Sequence, residues 1–289
     1  MNKSLASILV FLGSASYGLL STVTKLAYQH GFTTAQVVGS QMFFGWLGFW
    51  LSSHSYWRQT LSLSFKEIAA LATTGAMSGL TGIFYYLSLK TLPASYAVIL
   101  LFQFTWLGIG LDYIAHNRKP SLFQQISAGI IMAGTVLAVG YSSAASASSL
   151  TLSGVLLGLL SALSYTLFIY LSGRTVRQAP TIVRNNWMVL GAVIIAFIVF
   201  PPRFLIDGSL PAGLWQYGAF LGLFGIILPF YLFAKGVPYI GTSRAALLGA
   251  VELPVVIACS FWLLNEQLTL LQLSGIGIIL AGILLSVVK

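Results

Sequence analysis

The sequence predicts an all-α integral membrane protein of ten transmembrane helices, arranged as two inverted five-helix repeats. Three observations support that expectation. The 289 residues are 57% hydrophobic and only 7% charged, with a mean hydropathy of +0.91, which leaves too little polar surface for a soluble domain of this size. Apolar runs that can cross a hydrocarbon core of roughly 30 Å as helices fall at about 4–27, 34–52, 67–89, 94–114, 121–141, 152–173, 181–200, 213–234, 242–264 and 269–288. Two motifs also recur in the same order. Lys90-Thr91-Leu92-Pro93 returns as Lys235-Gly236-Val237-Pro238, and Gly129-Ile130-Ile131-Met132-Ala133-Gly134 returns as Gly277-Ile278-Ile279-Leu280-Ala281-Gly282.

The two copies occupy residues 1–141 and 152–289, with an uncharged Ser/Ala-rich extracellular linker at 142–151. Because each copy has an odd number of spans, the second enters the membrane in the opposite orientation to the first, which is an inverted repeat. Transporters with this architecture hold their site near the midplane, between the halves.

Basic residues sort by side of the membrane. With a cytoplasmic N-terminus, Lys3, Arg58, Lys66, Arg118, Lys119, Arg174, Arg177, Arg184, Lys235, Arg244 and Lys289 lie inside, while Lys25, Lys90 and Arg203 lie at outer ends. That bias predicts a multi-pass protein of the cell's inner (plasma) membrane with both termini cytoplasmic. It also accounts for the net charge of +9 without a nucleic-acid partner. The first apolar run, although preceded by Lys3, reads as an uncleaved helix because nine more follow.

Taken in order, span one places Ser14, Tyr17, Gly18, Ser21 and Lys25 on one helical face, and span three does the same with Thr74, Ser78, Thr81 and Tyr85. Such stripes join helices or line a hydrated cavity. Gly75/Gly79, Gly154/Gly158 and Gly218/Gly222 have the spacing of close helix contacts. Span four contains Gln103 and Trp106 at mid-depth, and span six adds Ser161, Ser164, Tyr165 and Phe168. Trp50, Trp57, Trp187, Trp215 and Trp262 fall near segment ends, as interfacial anchors do. Pro229 and Pro254 fall inside spans eight and nine, where each removes a helix hydrogen bond.

Glu252 is the outstanding residue. It is expected in the middle of span nine, at a depth similar to Gln103 in span four, where a charge is costly. It is therefore the candidate for coupling or protonation, with the proton as the coupling ion. Tyr17, Ser21, Ser78, Tyr85, Gln103, Trp106, Tyr165 and Glu252 form the expected substrate-binding set, and Pro93, Pro238, Pro254 and Glu266 the structural one.

Other chemistry is absent from the pattern. His30, His54 and His116 share no metal-ligand spacing, and Cys259 is the single cysteine. No phosphate-cradling glycine loop precedes a Lys-Ser/Thr pair. No metal, cofactor or enzymatic activity is expected, and the partners are a small-molecule substrate and the lipid bilayer.

Ten spans in two halves, the two Lys-x-x-Pro motifs, Glu252-Leu253-Pro254, Asn265-Glu266-Gln267-Leu268-Thr269 and the Gly277 to Gly282 run together resemble the drug/metabolite transporter superfamily, EamA type, over essentially the whole chain. The family pattern has a proline in mid-span nine, a Gly-Glu pair at its end and a glycine-rich span ten. Here Asn265 replaces the glycine, and Asn117-Arg118 stands where the first copy would have its glutamate. The resemblance implies a carrier of small metabolites, often an exporter of amino acids or related compounds. It also implies a cavity lined by spans one, three, four, six, eight and nine. The alternatives are a multidrug-type exporter and a non-transporting receptor or assembly component.

Overall fold

Every regular element in the computed structural model is helical among the residues it describes, which are 2–52, 56–116, 119–140, 151–172, 174–249 and 251–287. Six stretches combine the length and hydropathy of a membrane span: Lys3–Gln29, Phe65–Thr91, Ala94–Ala115, Leu152–Ser172, Thr181–Val199 and Leu210–Phe233. Thr34–Ser52, Leu122–Gly140, Glu252–Leu264 and Leu270–Val287 are the helices of spans two, five, nine and ten. Residues 142–150 of the expected linker, together with His54, Asn117 and Arg118, lie outside the described residues.

Three spans are interrupted at mid-depth. Span one is built from Lys3–Gly18 and Leu20–Gln29, joined at Leu19. Just before the joint the hydroxyls of Ser14 and Ser16 donate to the carbonyls of Val10 and Gly13, at 3.0 and 2.7 Å, competing with the helix's own ladder. Span four is built from Ala94–Leu101 and Phe104–His116, with Phe102 and Gln103 in a turn between them.

In span nine the break falls at Val251, and a helix restarts at Glu252. This corrects two expectations. The helix Leu228–Gly249 runs through Lys235 to Pro238, so the second Lys-x-x-Pro is not the turn that begins span nine. Glu252 is accordingly the first residue of a half-helix rather than the middle of a long one. The reason lies in Pro254, the third residue of that helix. The first N–H groups of a helix have no intrahelical partner, so proline is tolerated there and not a few residues later. The ladder starts with Val255, whose N–H donates to the Val251 carbonyl at 3.2 Å.

Packing follows the duplication. Span one lies against span eight, and span six lies against span three; span two packs on span eight, and span seven on span three. Span four contacts span six, and span nine contacts span one. Exchanging the two halves turns each of these pairs into its neighbour in the description, while spans two and seven and spans five and ten pair with their own counterparts. The two Gly-Ile-Ile-x-Ala-Gly motifs face one another. Gly134 meets the Gly275 carbonyl, Gly282 meets Ile131, and the Ser127 hydroxyl donates to the Gly282 carbonyl at 2.6 Å.

Glycine permits two of these approaches outright. A β-carbon at Gly75 would lie 1.7 Å from the Met188 carbonyl oxygen, and one at Gly191 would lie 2.0 Å from that of Ala72, so spans three and seven touch backbone to backbone. Gly75→Ala is expected to force them apart and to cost about 1–3 kcal/mol. Gly129, with no neighbour within 4 Å of the same position, is the control: Gly129→Ala should be neutral or slightly stabilising. Thermal unfolding of the purified variants in detergent distinguishes these outcomes, and equal melting of both would contradict the packing.

The core has one main cluster, which runs through mid-depth to the end of the bundle that holds Pro93 and includes Ala27, Leu89, Ala94, Val98 and Leu253, beside a separate cluster of Leu92, Tyr96 and Leu100 with Val155 and Leu159 at that end. Toward the end that holds the N-terminus it splits in two. Ala6, Val10 and Ile240 form one cluster between spans one and eight, and Leu71, Val176 and Met188 form another among spans three, six and seven.

Candidate functional site

The interruptions of spans one, four and nine converge on a mid-depth cavity of about 130 Å³, room for several waters or a small solute. Gly18, which precedes the break in span one, fits closely against the break in span nine: a β-carbon there would lie 2.6 Å from the Val255 side chain and 3.0 Å from the Glu252 carbonyl oxygen. Leu101 and Phe104, flanking the turn of span four, complete that wall.

Glu252 lines the cavity together with Tyr17, Ser78, Tyr85 and Tyr165, so five of the eight expected binding residues come together. The three tyrosine hydroxyls lie within electrostatic reach of its carboxylate. Among the described residues that carboxylate has neither a hydrogen bond nor an ion pair. It heads a helix, where the aligned peptide dipoles favour negative charge.

The other three residues lie outside the cavity lining. The Gln103 amide donates to the Ile99 carbonyl at 2.9 Å and to the Thr135 hydroxyl at 2.7 Å, and its oxygen accepts from the Trp106 indole at 2.8 Å. Gln103 and Trp106 therefore close the turn of span four and tie it to span five. Ser21 is fully buried, with no partner for its hydroxyl among the described residues.

Spans two and seven also contribute to the cavity, through Gln41, Met42, Val189 and Ala192, with Tyr86, Phe168 and Phe230 completing the aromatic wall. The sequence signal for Gln41 was one amide in an otherwise apolar run, which does not reveal its direction. In the structure its amide donates to the Leu221 carbonyl at 3.3 Å, beside the π-turn Leu223–Ile227 that widens span eight.

Glu266, in the loop between Glu252–Leu264 and Leu270–Val287, acts on the first half. Its carboxylate accepts from the backbone N–H of Ala94 at 2.7 Å, from that of Ser95 at 3.3 Å and from the Ser95 hydroxyl at 3.0 Å, with Lys25 Nζ 3.8 Å away. Pro93 at the N-cap has no side chain to satisfy those donors, so the second half caps the broken helix of the first. Asn265 supports this placement. Its φ of 52° is left-handed, a conformation open to glycine and asparagine, which explains how it replaces the glycine of the family pattern.

The model of the EamA-like transporter family matches this chain twice, over residues 4–140 and 152–288. The chain belongs to that family. An "Uncharacterized transporter" of Archaeoglobus fulgidus is 33% identical over 46% of this chain and 47% of its own length. The "Uncharacterized transporter sll1319" of Synechocystis sp. is 26% identical over 69% of this chain and 60% of its own length. The chain thus spans about half to three fifths of these relatives. A solved crystal structure superposes with a TM-score of 0.67 and 17% identity, covering 98% of this chain and 96% of the other, a likeness of fold. For this EamA-like protein the match in each half agrees with the exchange symmetry of its packing.

Proposed function

We infer that this multi-pass membrane protein is a non-enzymatic secondary carrier, an exporter or facilitator of small amphipathic metabolites such as amino acids and related compounds. The observation that supports it best is Glu252, a carboxylate with no partner among the described residues, in a mid-depth cavity where three interrupted spans meet. Discontinuous helices at the interface of inverted repeats are where such carriers bind solute. Alternating access is inferred from the exchange symmetry of the packing, since halves that mirror one another can open toward either end. In this reading Glu266 and Lys25 latch the Pro93 end and the proton is the coupling ion at Glu252. An untargeted comparison of metabolites released by cells with and without the protein tests the function. No difference in any small solute, with the protein present in the membrane, would refute it.

The plasma membrane, with both termini and the Arg174 to Arg184 loop cytoplasmic, is the orientation proposed from the basic residues. Single cysteines introduced on a Cys259→Ser background should be labelled from outside at 142–151 and from inside at residues 174–184. Labelling of 142–151 only from the cytoplasm would remove the inverted arrangement.

A further inference from the structure

The carrier reading leaves the charge of the solute open, and the composition of the cavity wall constrains it. A solute entering the cavity gives up hydration, so each of its charged groups needs a partner on the wall. Among the described lining residues there is no lysine, arginine or histidine. The amide of Gln41 is engaged by the Leu221 carbonyl, and the Thr81 hydroxyl donates to the Met77 carbonyl at 2.9 Å. An anionic head group therefore meets no cation among the described lining residues, only uncharged donors such as the hydroxyls of Ser78, Tyr17, Tyr85 and Tyr165.

The opposite charge is well provided for. Glu252 offers a carboxylate that is unpaired among the described residues, and around it stand aromatic rings. Phe104 meets Tyr165 edge-on with centroids 4.9 Å apart, and Tyr165 stacks on Phe168 at 6.2 Å. A cation near such a carboxylate gains Coulomb attraction, and against ring faces it gains cation–π attraction that strengthens as water is excluded.

We propose that the cavity selects organic monocations, with an ammonium or quaternary ammonium group on an apolar or planar body. Glu252 is the counter-ion, and Tyr17, Tyr85 and Tyr165 present the ring faces. Amines and carboxyl-blocked amino-acid derivatives fit this wall best, whereas a free solute carboxylate finds hydroxyl donors but no cation among the described lining residues.

The test is equilibrium titration of the purified full-length protein in detergent with benzyltrimethylammonium and with phenylacetate, two probes of similar size and opposite charge. The cation is expected to bind at least about tenfold more tightly, and Glu252→Gln to weaken it by about tenfold. Tyr165→Leu should weaken the cation by about fivefold while Tyr165→Phe, which keeps the ring, changes it by less than about twofold. Equal binding of the two probes would overturn the proposal, as would unchanged cation binding by a Glu252→Gln protein that elutes like the parent. If Glu252→Gln does not fold, the Tyr165 pair decides, and equal weakening by Phe and Leu would overturn it.

Exchange of the same probes across liposomes separates this proposal from the carrier reading. Exchange of phenylacetate alone refutes the charge selectivity and upholds the carrier. Selective cation binding without exchange of either probe upholds the selectivity and refutes the carrier, and absence of both binding and exchange overturns both.

Discussion

Glu252→Gln is expected to reach the membrane in normal amounts and to lose at least about nine tenths of transport, equivalent to ~1.4 kcal/mol or more of lost stabilisation. Glutamine keeps the size of the side chain and its capacity for hydrogen bonds but not its charge or its titration. The carboxylate has no hydrogen bond or ion pair among the described residues, so no folding contact there depends on the charge. Initial rates in liposomes, measured over a range of pH with an exported solute identified from cells, give the comparison. Glu252→Ala is the companion variant and should resemble Glu252→Gln in rate. A Glu252→Gln rate and pH profile matching the parent would exclude Glu252 from the mechanism and leave the hydroxyls of Ser78 and Tyr85 as the groups to test next.

The second large effect concerns stability. Glu266→Ala uncovers two backbone donors at the start of Ala94–Leu101 and leaves Lys25 without its counter-ion. Hydrogen bonds to a charged group are worth about 1.5–3 kcal/mol each, and a cation stranded in a partly buried site adds to the loss. The expected destabilisation is about 3 kcal/mol or more, read from thermal unfolding in detergent. Glu266→Gln, which keeps one acceptor, should cost roughly half as much. If Lys25 is held there by Glu266, then adding Lys25→Met to Glu266→Ala should recover part of the loss, because it removes the uncompensated charge. A Glu266→Ala protein that melts with the parent would mean that water caps the helix as well as the carboxylate does.

Several features were legible in the chain alone because each depends on neighbours in sequence or on the bilayer. Hydropathy determined the helical membrane class, since a helix satisfies its backbone within its own segment wherever water is absent. The small-residue pairs Gly75/Gly79, Gly154/Gly158 and Gly218/Gly222 marked close contacts, since only glycine lets two backbones approach to the distances seen between spans three and seven. Tyr17, Ser78, Tyr85 and Tyr165 were named from helical spacing and Glu252 from its depth in the span, and these five line the cavity, because a polar group deep in a span has to face protein rather than lipid.

Three matters were decided only by the tertiary structure. The break in span nine falls at Val251, not at the second Lys-x-x-Pro, because a proline near the start of a helix and one within it read alike in sequence until the first ladder bond is located. Gln103 and Glu252, alike in expected depth, separated into a turn-closing amide and a carboxylate without a partner among the described residues, since Thr135 and Trp106 lie within reach of Gln103. Glu266 caps a helix 172 residues away in the chain, and no local pattern reports that distance. Local chemistry sets what each segment can be, whereas the partner of a buried polar group depends on which other segment the fold brings beside it.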